Sequence, residues 1–166
     1  MRGRERGGLD DGLDDLDGRI LHALQRDARH TSATEIADEA GVAPSTVRKR
    51  IARLESRGVV RGYHVDVDYQ RAGYQLHTLI TCTAPIDERE QFVRGALDVH
   101  GVVSVREVMT GEDNVRVGAV DADNDDLNRI ARELSALGLE VTDENLVRGE
   151  HVRPFDSFAH DEPDAP

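Results

Sequence analysis

The sequence predicts an α+β protein in two parts, an N-terminal winged helix-turn-helix and a C-terminal ferredoxin-like βαββαβ domain. Three observations predict it. Residues 32–57 read as two short amphipathic helices joined by a tight turn at Gly41. That stretch opens a run of positive charge inside a strongly acidic chain. From residue 75 onward, alternating apolar runs and helical apolar spacings follow one another in the order β-α-β-β-α-β, the split-βαβ arrangement.

Taken in order, residues 1–12 are rich in Gly, Arg and Asp and are expected to be disordered. Asp14 or Asp15 should cap a first helix running to about Arg29, with Leu16, Ile20, Leu21 and Leu24 on its apolar side. Two short helices bury too little to stand alone, so this first helix is their support. Ser32 and Glu35 have capping-box spacing and start the second helix. Its apolar face is Ile36, Ala37 and Ala40, and Gly41 ends it as a left-handed C′ residue. Pro44 presets φ for the first position of a third helix, whose stripe is Val47, Ile51 and Leu54.

The side opposite that stripe, at about 100° per residue, carries Ser45, Lys49, Ala52 and Arg53, with Thr46 and Arg48 on its flanks. Small and basic residues let a helix lie close to a polyanion. Between Pro44 and His64 stand six Lys/Arg and one acid, a local balance of +5 in a chain of net charge −12. Such a patch is the electrostatic footprint of a nucleic-acid site. A helix-turn-helix offers its second helix to the major groove of double-stranded DNA, with N-terminal residues reaching base edges. Ser45, Thr46, Arg48, Lys49, Arg53, Arg57 and Arg61 are the expected DNA-binding residues. Arg50 lies near the apolar edge and is expected to pair with an acid of the first helix instead. Gly58 closes the third helix, and Val59, Val60, Tyr63, Val65 and Val67 suggest a short hairpin, the wing.

The run IADEAGVAPSTVRKRIARLESRGVVRGYHVDVD resembles the winged helix-turn-helix of the Lrp/AsnC (leucine-responsive, feast-famine) family of transcriptional regulators. LDDLDGRILHALQRDAR resembles that family's first helix, and residues 74–153 its effector-binding and oligomerisation domain. The likeness implies a sequence-specific DNA-binding regulator that forms homodimers, assembling further into tetramers or octamers. One departure is Ala43, where the family usually has a Ser or Thr cap. Losing that side-chain bond costs ~1 kcal/mol of helix stability.

Tyr69 to Gly73 reads as a hinge. Beyond it, 75–84 is a strand and 87–100 a helix, with Asp87 and Glu90 at capping-box spacing. Residues 102–109 and 115–120 are paired strands. Residues 123–138 form a clear helix with Leu127, Ile130, Ala131, Leu134 and Leu137 on one side, and 139–154 hold the last strand. The expected boundaries are 13–68 for the DNA-binding domain, 69–73 for the hinge, 74–156 for the sheet domain and 157–166 for an acidic tail. Four strands and two helices leave one sheet face bare. With residues such as Ile80, Val105 and Val117 available to it, that face calls for a second copy of the chain.

Met109, Thr110, Gly111, Glu112, Asp113 and Asn114 form the second candidate site. Gly111 is free to take positive φ, and turn N–H groups can hold a small carboxylate. Glu112, Asp113 or Asn114 would hold an amino group, so an amino-acid-like effector fits; an ordinary hairpin turn is the alternative. The loop resembles the family's glycine-containing effector loop. There an aspartate usually stands three positions after the glycine, where this chain has Asn114.

Composition narrows the rest. One cysteine, Cys82, excludes an internal disulfide and suits a reducing cytoplasm. No apolar run reaches the ~20 residues needed to span a bilayer. Seven histidines show no paired metal-ligand spacing, and no nucleotide or hydrolase fingerprint is present, so neither metal nor cofactor is expected. Thirty-three acids face 21 basic residues, of which Lys49 is the one lysine. That balance suggests a halophilic archaeon with a cytoplasm of very high salt. A GC-rich genome would explain the arginines but not the acids. Two rivals share the architecture: a sirohaem-decarboxylase-like enzyme, and a metabolite sensor that binds no DNA. Neither needs the +5 patch.

Overall fold

The computed structural model describes residues 12–159. The expected disorder of residues 1–11 and the end of the acidic tail, 160–166, lie outside them. The chain forms two compact units. Of the described residues, one unit holds 12–65 together with 151–159, and the other spans Asp66–Glu150.

The first unit contains α1 (Asp15–Asp27), α2 (Ala33–Ala40) and α3 (Pro44–Ser56). Asp14 caps α1 and Ser32 caps α2, each in a reciprocal capping box, with Asp17 and with Glu35. Gly41 ends α2 at φ 68° and its N–H bonds back to the Ala37 carbonyl. The core joins Ile20, Leu21 and Ala23 of α1 to Ile36 and Ala37 of α2 and to Val47 and Leu54 of α3. Leu16, Leu24 and Ile51 pack partly buried against it, as the helical spacing requires.

The expected wing hairpin is not a β-ladder. Residues 59–68 contain no strand. The Val59 and Val60 N–H groups both donate to the Leu54 carbonyl, so these residues finish α3 instead of starting a strand. Val65 is 85% exposed. Alternation makes a strand only where a partner supplies the other half of the ladder, and none among the described residues does so.

The second unit is a four-stranded antiparallel sheet in the order β2-β3-β1-β4. Its strands are β1 (Leu76–Thr83), β2 (Val102–Glu107), β3 (Val115–Asp121) and β4 (Glu140–Leu146), with α4 (Arg89–Leu97) and α5 (Asn124–Ala136) in the crossovers. This is the βαββαβ arrangement read from the sequence. The Asp87–Glu90 capping box does not form. Pro85 leads into a single 3-10 turn over Ile86–Glu88, α4 begins at Arg89 without a side-chain cap, and the Glu90 carboxylate pairs with Arg94. Asp123 caps α5 by accepting from the N–H groups of Asp125 and Asp126.

Register decides which sheet face is covered. Ile80 pairs with Val117 and Cys82 with Val115, and all four lie in one core with Leu127, Ile130 and Leu134 of α5. Ile80 and Val117 are 1% and 0% exposed, and Val105 packs against the same core. The three residues expected on the bare face therefore lie under the helices. The opposite face holds Leu79 beside Gly118, and Thr81 beside Arg116. Arg116 in turn stands opposite Arg106, and Thr81 opposite Asp143. β4 ends at Leu146, well short of residue 154, and the compact sheet unit ends at Glu150 instead of 156.

Cys82 is 0% exposed, and burial pushes its thiol up to about 11. It is therefore a protonated packing residue across the neutral range. Iodoacetamide at pH 8 should leave it unmodified in the native protein and alkylate it rapidly in urea, read by intact mass. Rapid native labelling would contradict this burial.

Candidate nucleic-acid interface

α3 presents its two sides as its spacing demands. Val47 and Leu54 are completely buried, while Ser45, Thr46, Arg48, Lys49, Ala52 and Arg53 are exposed. Pro44 occupies the first turn, and Ala43 supplies no side-chain bond at the cap. Arg57 is half-buried at the helix end and Arg61 is exposed in the segment beyond. Arg53 donates to the Gly12 carbonyl at 3.4 Å.

Arg50 faces α1. Its Nη1 lies 2.6 Å from Asp14 and 3.2 Å from both carboxylate oxygens of Asp17. Asp17 is 0% exposed. The Asp17 N–H, together with the Arg50 guanidinium, holds the Asp14 carboxyl below its usual value, and the Asp14 pairing holds Arg50 more firmly protonated. One basic residue of the patch is thus a structural tie, and the exposed ones lie outside it.

Glu55, the one acid of the patch, is also engaged. The Tyr63 hydroxyl donates to its Oε1 at 2.9 Å, and burial, then Glu55, raises the Tyr63 hydroxyl's pKa. This pins the chain after α3 back onto the helix. The alternation around Tyr63 suggests a hairpin and does not reveal this role, because a spacing of eight residues across a helix end carries no local signature.

In the second candidate site, the positive φ falls on Asp113, at 52°, and not on Gly111. The reason is anchoring on both sides. The Asp113 N–H donates to Thr83 Oγ1 at 2.9 Å, and its Oδ1 accepts from the Thr142 hydroxyl at 2.6 Å. Asn114 is 0% exposed and is not free to hold a ligand. Its Oδ1 accepts from the Ala84 N–H at 2.8 Å. Its Nδ2 donates to the Ala84 carbonyl at 2.9 Å and to the Gly111 carbonyl at 3.2 Å. The side chain is a clamp that ties the loop to the end of β1. Met109, Thr110, Gly111 and Glu112 stay exposed, with the Thr110 hydroxyl on the Glu112 carbonyl at 2.7 Å.

Among the described residues no group of three or more His, Cys, Asp or Glu is placed to hold a metal ion, and no helix is long and apolar enough to cross a membrane.

Comparison with known proteins adds identity to this geometry. The family model for the AsnC-type helix-turn-helix domain matches residues 13–55. An uncharacterized HTH-type transcriptional regulator of Pyrococcus furiosus is 38% identical over 138 residues, spanning 81% of this chain and 90% of the relative. The HTH-type transcriptional regulator AldR of Mycolicibacterium smegmatis is 32% identical over 123 residues, 73% of this chain and 71% of the relative. Among solved structures, MtbAldR superposes with a TM-score of 0.71 at 28% identity, covering 86% of this chain and 99% of that one. A Neisseria meningitidis transcriptional regulator in complex with L-Met gives 0.67 at 25% identity, covering 86% and 94%. A helix-turn-helix with an outward basic face, matched along most of the chain by regulators of one kind, admits one conclusion: the chain belongs to the Lrp/AsnC family and is a DNA-binding transcriptional regulator.

Proposed function

We propose that this regulator reads the major groove with the exposed side of α3. Ser45, Thr46 and Lys49 reach base edges, while Arg48, Arg53, Arg57 and Arg61 hold the phosphate backbone. The observation that carries the assignment is the division of the patch itself. Lys49 is exposed opposite the buried Val47 and Leu54, whereas Arg50 is tied inward to Asp14 and Asp17. Lys49→Ala should weaken operator binding by about 1–3 kcal/mol, the usual cost of a lost base contact. The thermal midpoint should not change. Gel shifts at low salt with a duplex selected from a random pool read the effect, and unchanged affinity would mean that α3 is turned differently.

The sheet domain assembles the protein. The bare face is laid out for a second copy: Arg106 and Arg116 stand side by side, an unfavourable like-charge pair, with Asp143 two strands away. Arg116 Nη1 is buried without a hydrogen-bond partner among the described residues. Helices on one side of the four strands leave that face to be covered, which a copy related by a two-fold axis does. Light scattering of the full chain at micromolar concentration in molar KCl should give a dimer or a multiple of it, and a monomer would refute this.

An amino-acid-like effector is held at Met109, Thr110, Gly111, Glu112 and Asp113, with Asn114 shaping the loop from inside. The L-Met complex of the Neisseria relative supports this class of ligand. A ligand matters only if it binds one assembly state better than another. A gel-shift ladder that is the same with and without each amino acid would remove the effector role. The regulator works in a cytoplasm of high salt, a reading supported by its single thiol and by the excess of acids over basic residues. There, phosphate contacts weaken steeply, so base edges and multivalent assembly carry more of the affinity.

A further inference from the structure

After the sheet domain the chain returns to the helical unit, where Asp156–Phe158 makes one 3-10 turn against α1. We propose that Phe155–Ala159 is a strap that completes the core of the DNA-binding unit, and that DNA affinity depends on its being seated.

Three observations carry the proposal. Phe158 packs on the core cluster of the three helices, and its ring meets that of Phe155 edge-on at 5.1 Å. The Phe155 N–H donates to Gln25 Oε1 of α1 at 3.2 Å, across 130 residues of sequence. The third is Gly18, inside α1. Glycine is among the poorest helix formers, and one inside a helix calls for a reason. A Cβ there would lie 3.3 Å from the Phe158 carbonyl oxygen and 3.8 Å from its Cα. The small residue leaves room for the strap's backbone.

α1 is also the platform of the reading helix, because Ile20 and Leu21 face the shared core and Asp17 holds Arg50 of α3. An unstrapped α1 exposes apolar surface and loosens that platform. The strap thus makes the end of the chain part of the DNA-binding machinery. Any partner that captures Phe155 and Phe158 would lower operator affinity without touching α3.

The test compares the full chain with a chain ending at Pro154 and with full-length Phe158→Ser. In the truncated chain, amide exchange across Arg19–Gln25 should quicken at least about tenfold while the strands of the sheet keep their protection. Binding to the selected duplex should weaken at least about tenfold, and Phe158→Ser should fall between. Gly18→Ala is then made in both chains. Without the strap, alanine should raise the thermal midpoint by about 4 °C through helix propensity. In the full chain the gain should shrink or reverse, because the Phe158 carbonyl must shift. Equal gains in both chains, unchanged exchange in α1, or unchanged affinity would each overturn the proposal. If the truncated chain does not fold, Phe158→Ser decides by the same exchange and affinity criteria. The affinity arm rests on the DNA-reading face proposed above, but the exchange and midpoint arms do not. Loss of binding by Lys49→Ala therefore tests that face separately from the strap.

Discussion

Arg50→Met should destabilise the DNA-binding unit by about 3 kcal/mol, the low end of the cost of stripping one partner from a buried ion pair. Asp17 is 0% exposed and would lose both of its bonds from Arg50, keeping, among the described residues, the Asp14 N–H at 3.3 Å. A carboxylate so stripped is stranded in a buried place without its partner. In the native protein the Asp17 N–H and the Arg50 guanidinium lower the pKa of Asp14, which gives stability that is present above the ordinary value of 3.8 and lost as pH falls through the folded value. Removing Arg50 removes part of that contribution, so the deficit of the variant should be larger at pH 7 than at pH 3. Urea melts of the full chain at the two pH values measure the effect. A second variant, Asp17→Leu with Arg50→Met, should recover much of the loss, because it leaves no stranded charge. A single variant as stable as the parent at pH 7 would mean that the pair contributes nothing.

The second large effect is expected at Asn114. Asn114→Ala strands the Ala84 N–H and carbonyl in a buried place and should cost about 2–3 kcal/mol of sheet-domain stability. Asn114→Asp, which restores the residue usual in the family, should not rescue it in this chain. An ionised carboxylate still accepts from the Ala84 N–H but faces the carbonyls of Ala84 and Gly111, to which the amide now donates. Its pKa should rise, so the aspartate variant should be most stable at acid pH and lose stability as pH increases. Urea melts of the sheet transition decide the matter. Aspartate equal to asparagine at pH 7 would show that the loop rearranges to supply a donor.

These two residues mark where local pattern suffices and where it stops. The pairing of Arg50 with an acid of α1 was legible because helical spacing alone sets it at the edge of the Val47–Leu54 stripe. The burial of Asn114 was not. Its partner Ala84 is 30 residues away, and a polar residue in a turn reads as solvated until the neighbouring strand is in place.

The sequence by itself determined the elements whose causes are local. An acid at Asp14 or Asp15, the capping box at Ser32, the C′ glycine at Gly41 and the proline at Pro44 mark the helix boundaries, and the structure gives the first cap to Asp14. Period 3.6 chose the face of each helix, and the order of strands and helices along the chain followed from the succession of periods. Tertiary structure alone decided which face of the sheet the helices cover. Alternation of period two divides β1 into two sets, but says only that they lie on opposite sides. Ile80 and Cys82 went under α5 because Val115 and Val117 of β3 share their side, leaving Leu79, Thr81 and Arg116 on the other. Likewise, Val65 and Val67 alternate but find no partner strand among the described residues, and Phe158 finds its core in α1, separated from it in sequence by the whole sheet domain. In each case the deciding energy is burial against a surface distant in sequence, which no local window contains.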